Sequence, residues 1–279
     1  MLCQRGTIVS EHETRGFVVP RGHADAARAS AATAGYDALV PLFLEAEPRF
    51  GDLLEAIERL APSLLAIGED QPPAPRWRQD WFPRLDAAAA YAIVQARAPA
   101  LLVEVGSGHS TRWFARAAAD AGHATRIVAI DPAPRATLAG LSIELVRSTV
   151  QEAGEAPFAP LTTGDVLSID GSHVLMPGTD VDILLNRVLP VLPAGVLVHI
   201  HDVFLPEDYP AEWAWRGYNE QLAVALMLQG CGYRVLWSSH WVGTRLESRL
   251  QGSVLARLPL LPGAHESSLW LEKQEPSAN

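Results

Sequence analysis

The chain has 279 residues, 48% of them hydrophobic and 19% charged, with 22 Lys and Arg against 32 Asp and Glu for a net charge of −10. Such a composition buries a large core and excludes wholesale disorder, and the length suits one large α/β domain, or one domain with a small extra lobe. The acidic balance repels phosphate backbones, so nucleic acid is not the expected partner.

Residues 1–35 mix Ala, Gly, Arg and His without sustained periodicity and read as a loosely packed arm. From Tyr36 to Ile67 apolar residues recur at helical spacing (Leu39, Val40, Leu42, Phe43, Leu53, Leu54, Ile57, Leu60), which predicts helix broken at Pro41, Pro48 and Pro62. Gly68 to Pro75 (GEDQPPAP) reads as a linker. The expected division is therefore a helical extension over 1–75 and a main domain over 76–279, with Trp77 and Trp81 pinning one to the other. A helix is expected from Asp86, as its N-cap, to Arg97. Leu101 to Val105 is a buried strand, Gly106-Ser107-Gly108 a tight turn, and Thr111 to Ala121 a helix. Further strands are expected at Arg126–Ile130, Ile143–Val146, Val166–Ile169 and Val196–His201, with a helix at Asp180–Leu192 capped by Thr179. Tyr233–Trp237 and Ser268–Glu272 read as two more strands. The alternation of strand and helix predicts a Rossmann-like, mostly parallel sheet with helices on both faces. In such sheets ligands sit at the carboxyl ends of the strands. That rule selects Gly106 to Ser110, Asp131, Asp170 and His201-Asp202.

Glu104-Val105-Gly106-Ser107-Gly108 delivers two glycines at a strand end, and Asp131 follows at the end of the next strand. Glycines permit a sharp turn and close approach of a ligand to the backbone. A carboxylate at Asp131 can accept hydrogen bonds from both hydroxyls of a ribose. The glycines alone would also serve an ordinary strand–helix turn. A third glycine for a dinucleotide is absent, because Thr111 stands there. Glu104 would repel a diphosphate but suits a ligand bearing an amino or sulfonium cation.

At these residues the chain resembles the bacterial class I S-adenosylmethionine-dependent methyltransferases. EVGSGHST (Glu104 to Thr111) is similar to their glycine-rich motif and AIDP (Ala129 to Pro132) to their ribose-binding motif. GDVLSIDGSHV and GTDVDILLNRVLPVLPAGVLVHIHDVFLPEDYP, between Gly164 and Pro210, resemble a subgroup of small methyltransferases, and the likeness spans roughly residues 77–245. The resemblance implies a seven-stranded sheet whose last strand is antiparallel, fitted here by Ser268–Glu272, and S-adenosylmethionine as methyl donor. By the same resemblance Glu104, Gly106, Ser107 and Gly108 would cradle the methionine part, Asp131 the ribose, and Thr149 to Gln151 the adenine.

Asp170, His173, His199, His201 and Asp202 gather at the ends of the fourth and fifth strands. His199 and His201 share one face of their strand, two residues apart. Among Val196, Leu197, Val198 and Ile200, His199 reads as a core residue. Histidine titrates near neutrality and suits removal of a hydroxyl proton. Two readings follow: His173 or His201 acts as general base oriented by Asp170, or Asp170, His201 and Asp202 hold a divalent metal. The donor set admits Mg, Mn, Fe or Zn, and a histidine beside the aspartate makes magnesium the less natural choice. Phe204, Tyr209, Trp213, Trp215 and Tyr218 would cover an acceptor pocket or pack a helix, and Asn219-Glu220-Gln221 would contact the acceptor or solvate the next helix.

The expected function is methylation of a small molecule, at oxygen, with a metal-dependent hydroxylase on the same scaffold as the alternative and a non-catalytic binding module as a third reading. Cys3 and Cys231 form no disulfide framework, there is no apolar leader, and no stretch suits a membrane span, so a cytoplasmic setting is expected. The helical extension suggests a homodimer, and His12 and His23 could reach a neighbouring copy's site.

Overall fold

A computed structural model of the protein describes residues 35–68 and 71–275. The arm residues His12 and His23 lie outside the described residues. The strands are β1 (Leu101–Val105), β2 (Arg126–Ile130), β3 (Glu144–Val146), β4 (Val166–Ile169), β5 (Leu197–Ile200), β6 (Tyr233–Ser238) and β7 (Leu269–Lys273). They form one seven-stranded sheet of order β3-β2-β1-β4-β5-β7-β6, in which β7 runs antiparallel to both neighbours. This is the Rossmann-like arrangement expected. β1, β4 and β5 are buried along their whole length because helices cover both faces, hence their runs of Val, Leu and Ile, each interrupted by one polar residue, Glu104, Ser168 or His199.

In chain order the helices that matter are α1 (Val40–Arg59), α2 (Ala61–Ala66), α3 (Arg84–Arg97), α4 (His109–Asp120), α5 (Val150–Ala153), α6 (Asp180–Ile183), α7 (Glu220–Gln229) and α8 (Ser239–Arg245). Three expectations are corrected. Pro41 lies in the first turn of α1, where its missing N–H is harmless, and Pro48 sits inside that helix without ending it. One lost hydrogen bond is outweighed because Phe43, Ala46 and Phe50 on that helix are fully buried, with Phe43 stacked on Trp241 at 5.4 Å. The helix at Asp180 continues as a π turn (Leu184–Val188) and a 3₁₀ turn (Leu189–Val191), since Pro190 cannot donate to a regular ladder. Asp86 is not an N-cap: α3 begins two residues earlier, and its first turn is capped from afar by Glu266, which accepts from Leu85 N at 2.7 Å and pairs with Arg84.

The extension shares the core of the main domain, with Leu39, Ile57 and Leu64 in the same buried cluster as the sheet residues. Trp77 anchors it, its ring 4.4 Å from that of Trp113 and its Nε1 donating to Leu64 O. Trp81 does not; it is 54% exposed and lies under the Arg135 guanidinium. No helix among the described residues is long and apolar enough to cross a membrane.

Candidate active site at the carboxyl rim of the sheet

Register builds the rim. Val105 pairs with Ile130 and with Ile169, and Ile169 pairs with Ile200. The residue after each strand end continues the ladder: Gly106 N donates to Ile130 O, Asp131 N to Val146 O, Asp170 N to Val105 O and His201 N to Ile169 O, all within 2.9–3.0 Å. Four residues selected from sequence thereby stand in one row, from Asp131 through Gly106 and Asp170 to His201.

The turn after β1 has two glycines with different tasks. Gly106 has φ of +84°, and a Cβ there would lie 2.0 Å from the carbonyl oxygen of Asp170. Its bareness serves packing between β1 and β4. Around Gly108 a Cβ would meet nothing within 4 Å, so this is where a ligand can approach the backbone. Gly108 N donates to Thr111 Oγ1 at 2.9 Å, tying the turn to the first turn of α4. Asp131 is half-buried; one oxygen accepts from Ser107 Oγ at 2.6 Å and the other from Ala133 N at 2.8 Å. A carboxylate has about four acceptor positions, so two remain for a diol. Gln151 is exposed on α5, its side chain donating to Gly178 O at 3.1 Å. Thr149 caps that helix.

Glu104 turns away from the rim. It is fully buried, with Ser110 Oγ and Thr111 Oγ1 donating to its two oxygens at 2.5 and 2.6 Å. Burial, helped by the negative charges of Asp170 and Asp131 and opposed by those two hydroxyls, pushes its carboxyl up to about 8. At neutral pH it is a neutral acid bracing the helix start, a task that sequence reasoning assigned to no residue.

At the other end of the row, His173 and His201 meet Asp170 and Asp202 in a buried cluster. His173 Nε2 lies 3.2 Å from Asp170 Oδ1 and 3.5 Å from Asp202 Oδ2, while its Nδ1 is 3.0 Å from Glu220 Oε2. His201 Nδ1 lies 3.3 Å from Asp202 Oδ1 and 3.6 Å from Asp170 Oδ1, and its Nε2 is 3.2 Å from Asp86 Oδ2. Each imidazole thus has its own carboxylate behind it, Glu220 from α7 or Asp86 from α3, and turns its second nitrogen toward the aspartates. His173 and Asp202 hold positive φ of 57° and 58°, which aims both side chains inward from tight loops. Gly171 has no room for a Cβ because the Asp180 carboxylate crosses it, accepting from Ser172 N at 2.7 Å. That contact explains the IDGSHV and GTD segments as one folded unit.

Burial opposes charge on both imidazoles. Hydrogen bonds to Asp170 and Glu220 outweigh it at His173, as do the charges of Asp202 and Asp170 at His201, and both are held well above the usual histidine range. Burial would raise Asp170, but the His201 charge and the imidazole hydrogen bonds hold it well below the usual carboxylate range. Asp170 is the reachable member of the cluster, its side chain 33% exposed where His173 and His201 are nearly covered.

Asp170, His173 and Asp202 each offer a ligand atom within 4.8 Å of the others. The converging trio contains His173 where the sequence pointed to His201, whose other nitrogen Asp86 engages. Glu220 Oε1 is buried with no partner, so the cluster holds more acceptors than donors, as a cation site requires. His199, as expected, is a core residue: neutral, pushed down to about 3 by burial, and strung between Ser168 Oγ and Ser268 Oγ at 2.8 and 2.9 Å.

Asp86, read from sequence as a helix cap, and Glu220, read as an acceptor contact or as solvating the next helix, instead stand behind the two imidazoles. The available signal was an acid in a segment with no solvent face. Leu85 to Val94 is buried without a break, and Asp86 stands in it accepting from Ser267 N and Ser268 N.

The strand order and the rim define a class, the Rossmann-like α/β domain with one antiparallel strand in a seven-stranded sheet. Residues 103–203 match the family model described as a methyltransferase domain. That description concerns methyl transfer and not the hydroxylase alternative. No curated protein matches the chain at a significant level. Among solved structures, the chain is similar to a methyltransferase of Podospora anserina crystallised with SAH (15% identity, 93% of this chain and 100% of that one, TM-score 0.44). It is similar also to an O-methyltransferase from Bacillus cereus in complex with SAH (11% identity, 80% and 91%, TM-score 0.41). A third is an O-methyltransferase of Streptomyces achromogenes involved in tomaymycin synthesis (13% identity, 96% and 100%, TM-score 0.43). These likenesses concern architecture alone.

Proposed function

We propose that the protein is an S-adenosylmethionine-dependent methyltransferase that methylates a small molecule at oxygen. The observation that supports this most is the row along the rim: an open glycine turn and the Ser107–Asp131 pair at one end, an acid–imidazole cluster at the other, with Gly106 and Asp170 in backbone contact between them. The donor supplies a methyl on sulfonium sulfur, whose transfer breaks that C–S bond, forms a C–O bond and releases the acceptor's hydroxyl proton.

The residues divide the remaining work. Gly108 admits the donor to the backbone, and Asp131, oriented by Ser107 and Ala133 N, accepts from its ribose. Gln151, exposed on α5, meets the adenine. Asp170 is ionised and reachable, so it accepts the hydroxyl's hydrogen bond, and the hydroxyl proton leaves to bulk water as the C–O bond forms. His173, fixed by Glu220 at Nδ1 and held in its charged form, donates to Asp170 through Nε2 and keeps that carboxylate in place. His201 does the same from the opposite side, fixed by Asp86. In place of a sulfonium-facing carboxylate, Glu104 serves the donor indirectly by holding the turn.

Asp131→Ala should weaken binding of S-adenosylhomocysteine at least about tenfold, roughly 1.4 kcal/mol, with the thermal midpoint unchanged. Calorimetry on wild type and variant measures it. Absence of binding by the wild type to both S-adenosylmethionine and S-adenosylhomocysteine would sink the proposal.

Asp170, His173 and Asp202 would also hold a divalent ion, which would lower the acceptor's pKa as a Lewis acid. Mixed nitrogen and oxygen donors suit Mn²⁺, Fe²⁺ or Zn²⁺ better than Mg²⁺. Titrated with Mn²⁺ or Zn²⁺, the wild type should bind one equivalent and His173→Gln at least about tenfold more weakly, since losing a ligand costs no less than losing a hydrogen-bond partner behind one, about 10–100-fold in affinity. If no ion registers on the wild type, the acid–base reading stands alone. His173→Gln then lowers kcat by about 10²-fold or more.

A further inference from the structure

Beside the rim lies a cation that the mechanism leaves unused. The Arg216 guanidinium sits 4.0 Å from the ring centroid of Trp213 and 5.4 Å from those of Trp215 and Tyr218. Its Nη1 donates to the Tyr218 hydroxyl at 3.2 Å. Its Nε is buried without a hydrogen-bond partner, and no described carboxylate forms an ion pair with it. The acids nearby are engaged elsewhere: Glu212 with His265, Glu207 with His240 and Arg245, and Glu220 with His173. Tyr218 links the arginine to the reaction cluster, its ring 4.5 Å from that of His173. The Tyr218 ring therefore bridges from the imidazole of the rim to a guanidinium that has no counter-ion among the described residues.

A guanidinium partly freed of water by aromatic faces gains from cation–π contact, but its planar fork remains matched to a carboxylate. The charge count argues for a single negative charge on the ligand. One guanidinium is available, whereas Asp170, Asp202, Glu220 and Asp86 outnumber the two imidazoles of His173 and His201 on the neighbouring rim and would repel a dianion such as a phosphate monoester. Asp170 and His173 mark where the reacting hydroxyl must be, and Arg216 lies one ring beyond them.

We propose that Arg216 is the anion receptor for the methyl acceptor, and that the acceptor is a planar hydroxy acid whose carboxylate pairs with this guanidinium while its hydroxyl faces Asp170 and His173. The assignment rests on the methyl-transfer reading and adds the substrate class to it. Tyr218, edge-to-face with Trp213 at 87°, supplies the ring along which such a molecule lies and fixes the guanidinium, while Trp213 backs the guanidinium.

Calorimetry on the full chain saturated with S-adenosylhomocysteine tests it, with 4-hydroxybenzoate, 4-hydroxycinnamate and the primary amide of each as probes. At least one acid should bind at least tenfold more tightly than its amide. Arg216→Gln should erase that preference without changing affinity for S-adenosylhomocysteine, and Arg216→Lys should restore part of it. Equal binding of acid and amide by the wild type, binding of neither acid, or a preference that survives in Arg216→Gln overturns the assignment. If Arg216→Gln does not fold, the acid–amide comparison on the wild type decides alone. Failure of S-adenosylhomocysteine to bind the wild type refutes the methyl-transfer reading itself, whereas its binding without any preference for acids refutes the receptor alone.

Discussion

Gly106→Ala should cost at least about 4 kcal/mol and leave a large fraction of the chain unfolded, whereas Gly108→Ala, two residues away, should fold normally and bind the donor poorly. The two glycines look alike in sequence and differ in what surrounds them. At Gly106 a Cβ would be driven to 2.0 Å from the Asp170 carbonyl oxygen, and φ of +84° is strained for any other residue. The obstacle is backbone in the adjacent strand, so relief means separating β1 from β4 at the centre of the sheet. Gly108 has an extended φ of 177°, which alanine adopts freely, and open space around it. Its stability change should stay within about 0.5 kcal/mol, while a methyl placed where the donor approaches lowers affinity at least about tenfold. Urea unfolding followed by tryptophan fluorescence and calorimetry with S-adenosylhomocysteine read the two effects separately. An unchanged unfolding midpoint for Gly106→Ala would refute the packing role, and full donor affinity in Gly108→Ala would remove the donor from that turn.

Glu104→Gln should flatten the pH dependence of stability. The folded carboxyl is pushed up to about 8, chiefly by burial, against an ordinary value of 4.5. Between those values the native state holds a proton that the unfolded state has released, so wild-type stability falls as pH rises through this window. The full effect of one such group is roughly 5 kcal/mol, at about 1.4 kcal/mol per pKa unit. Glutamine reproduces the neutral acid, accepting from one hydroxyl and donating to the oxygen of the other. The variant should therefore match the wild type near pH 5 and exceed it at pH 8.5, as measured by denaturant midpoints across that range. Parallel profiles for the two proteins would mean that Glu104 is ionised in the fold.

Much of the architecture was legible because periodicity and punctuation agreed. β1, β2 and β4 fall where their apolar runs end in Gly106, Asp131 and Asp170. The errors arose where local rules met long-range packing. Pro48 should interrupt a helix, yet burial of Phe43 and Phe50 against the sheet side of the molecule carries α1 through it. Asp86 has the chemistry and position of a cap, yet its carboxylate serves His201 and two backbone amides some 180 residues downstream.

The site divides along the same line. The amino-acid sequence by itself determined that Asp131, Gly106, Asp170 and His201 stand in a row, because each directly follows a strand of a parallel sheet and strand ends are local features. Only the tertiary structure decided which imidazole nitrogen faces which acid, that Glu104 braces a helix, and that Asp86, Glu220 and Arg216 belong beside the rim. Those relations depend on side chains from helices distant in sequence meeting over β4 and β5. No spacing encodes that meeting, because it is set by how whole elements share one core.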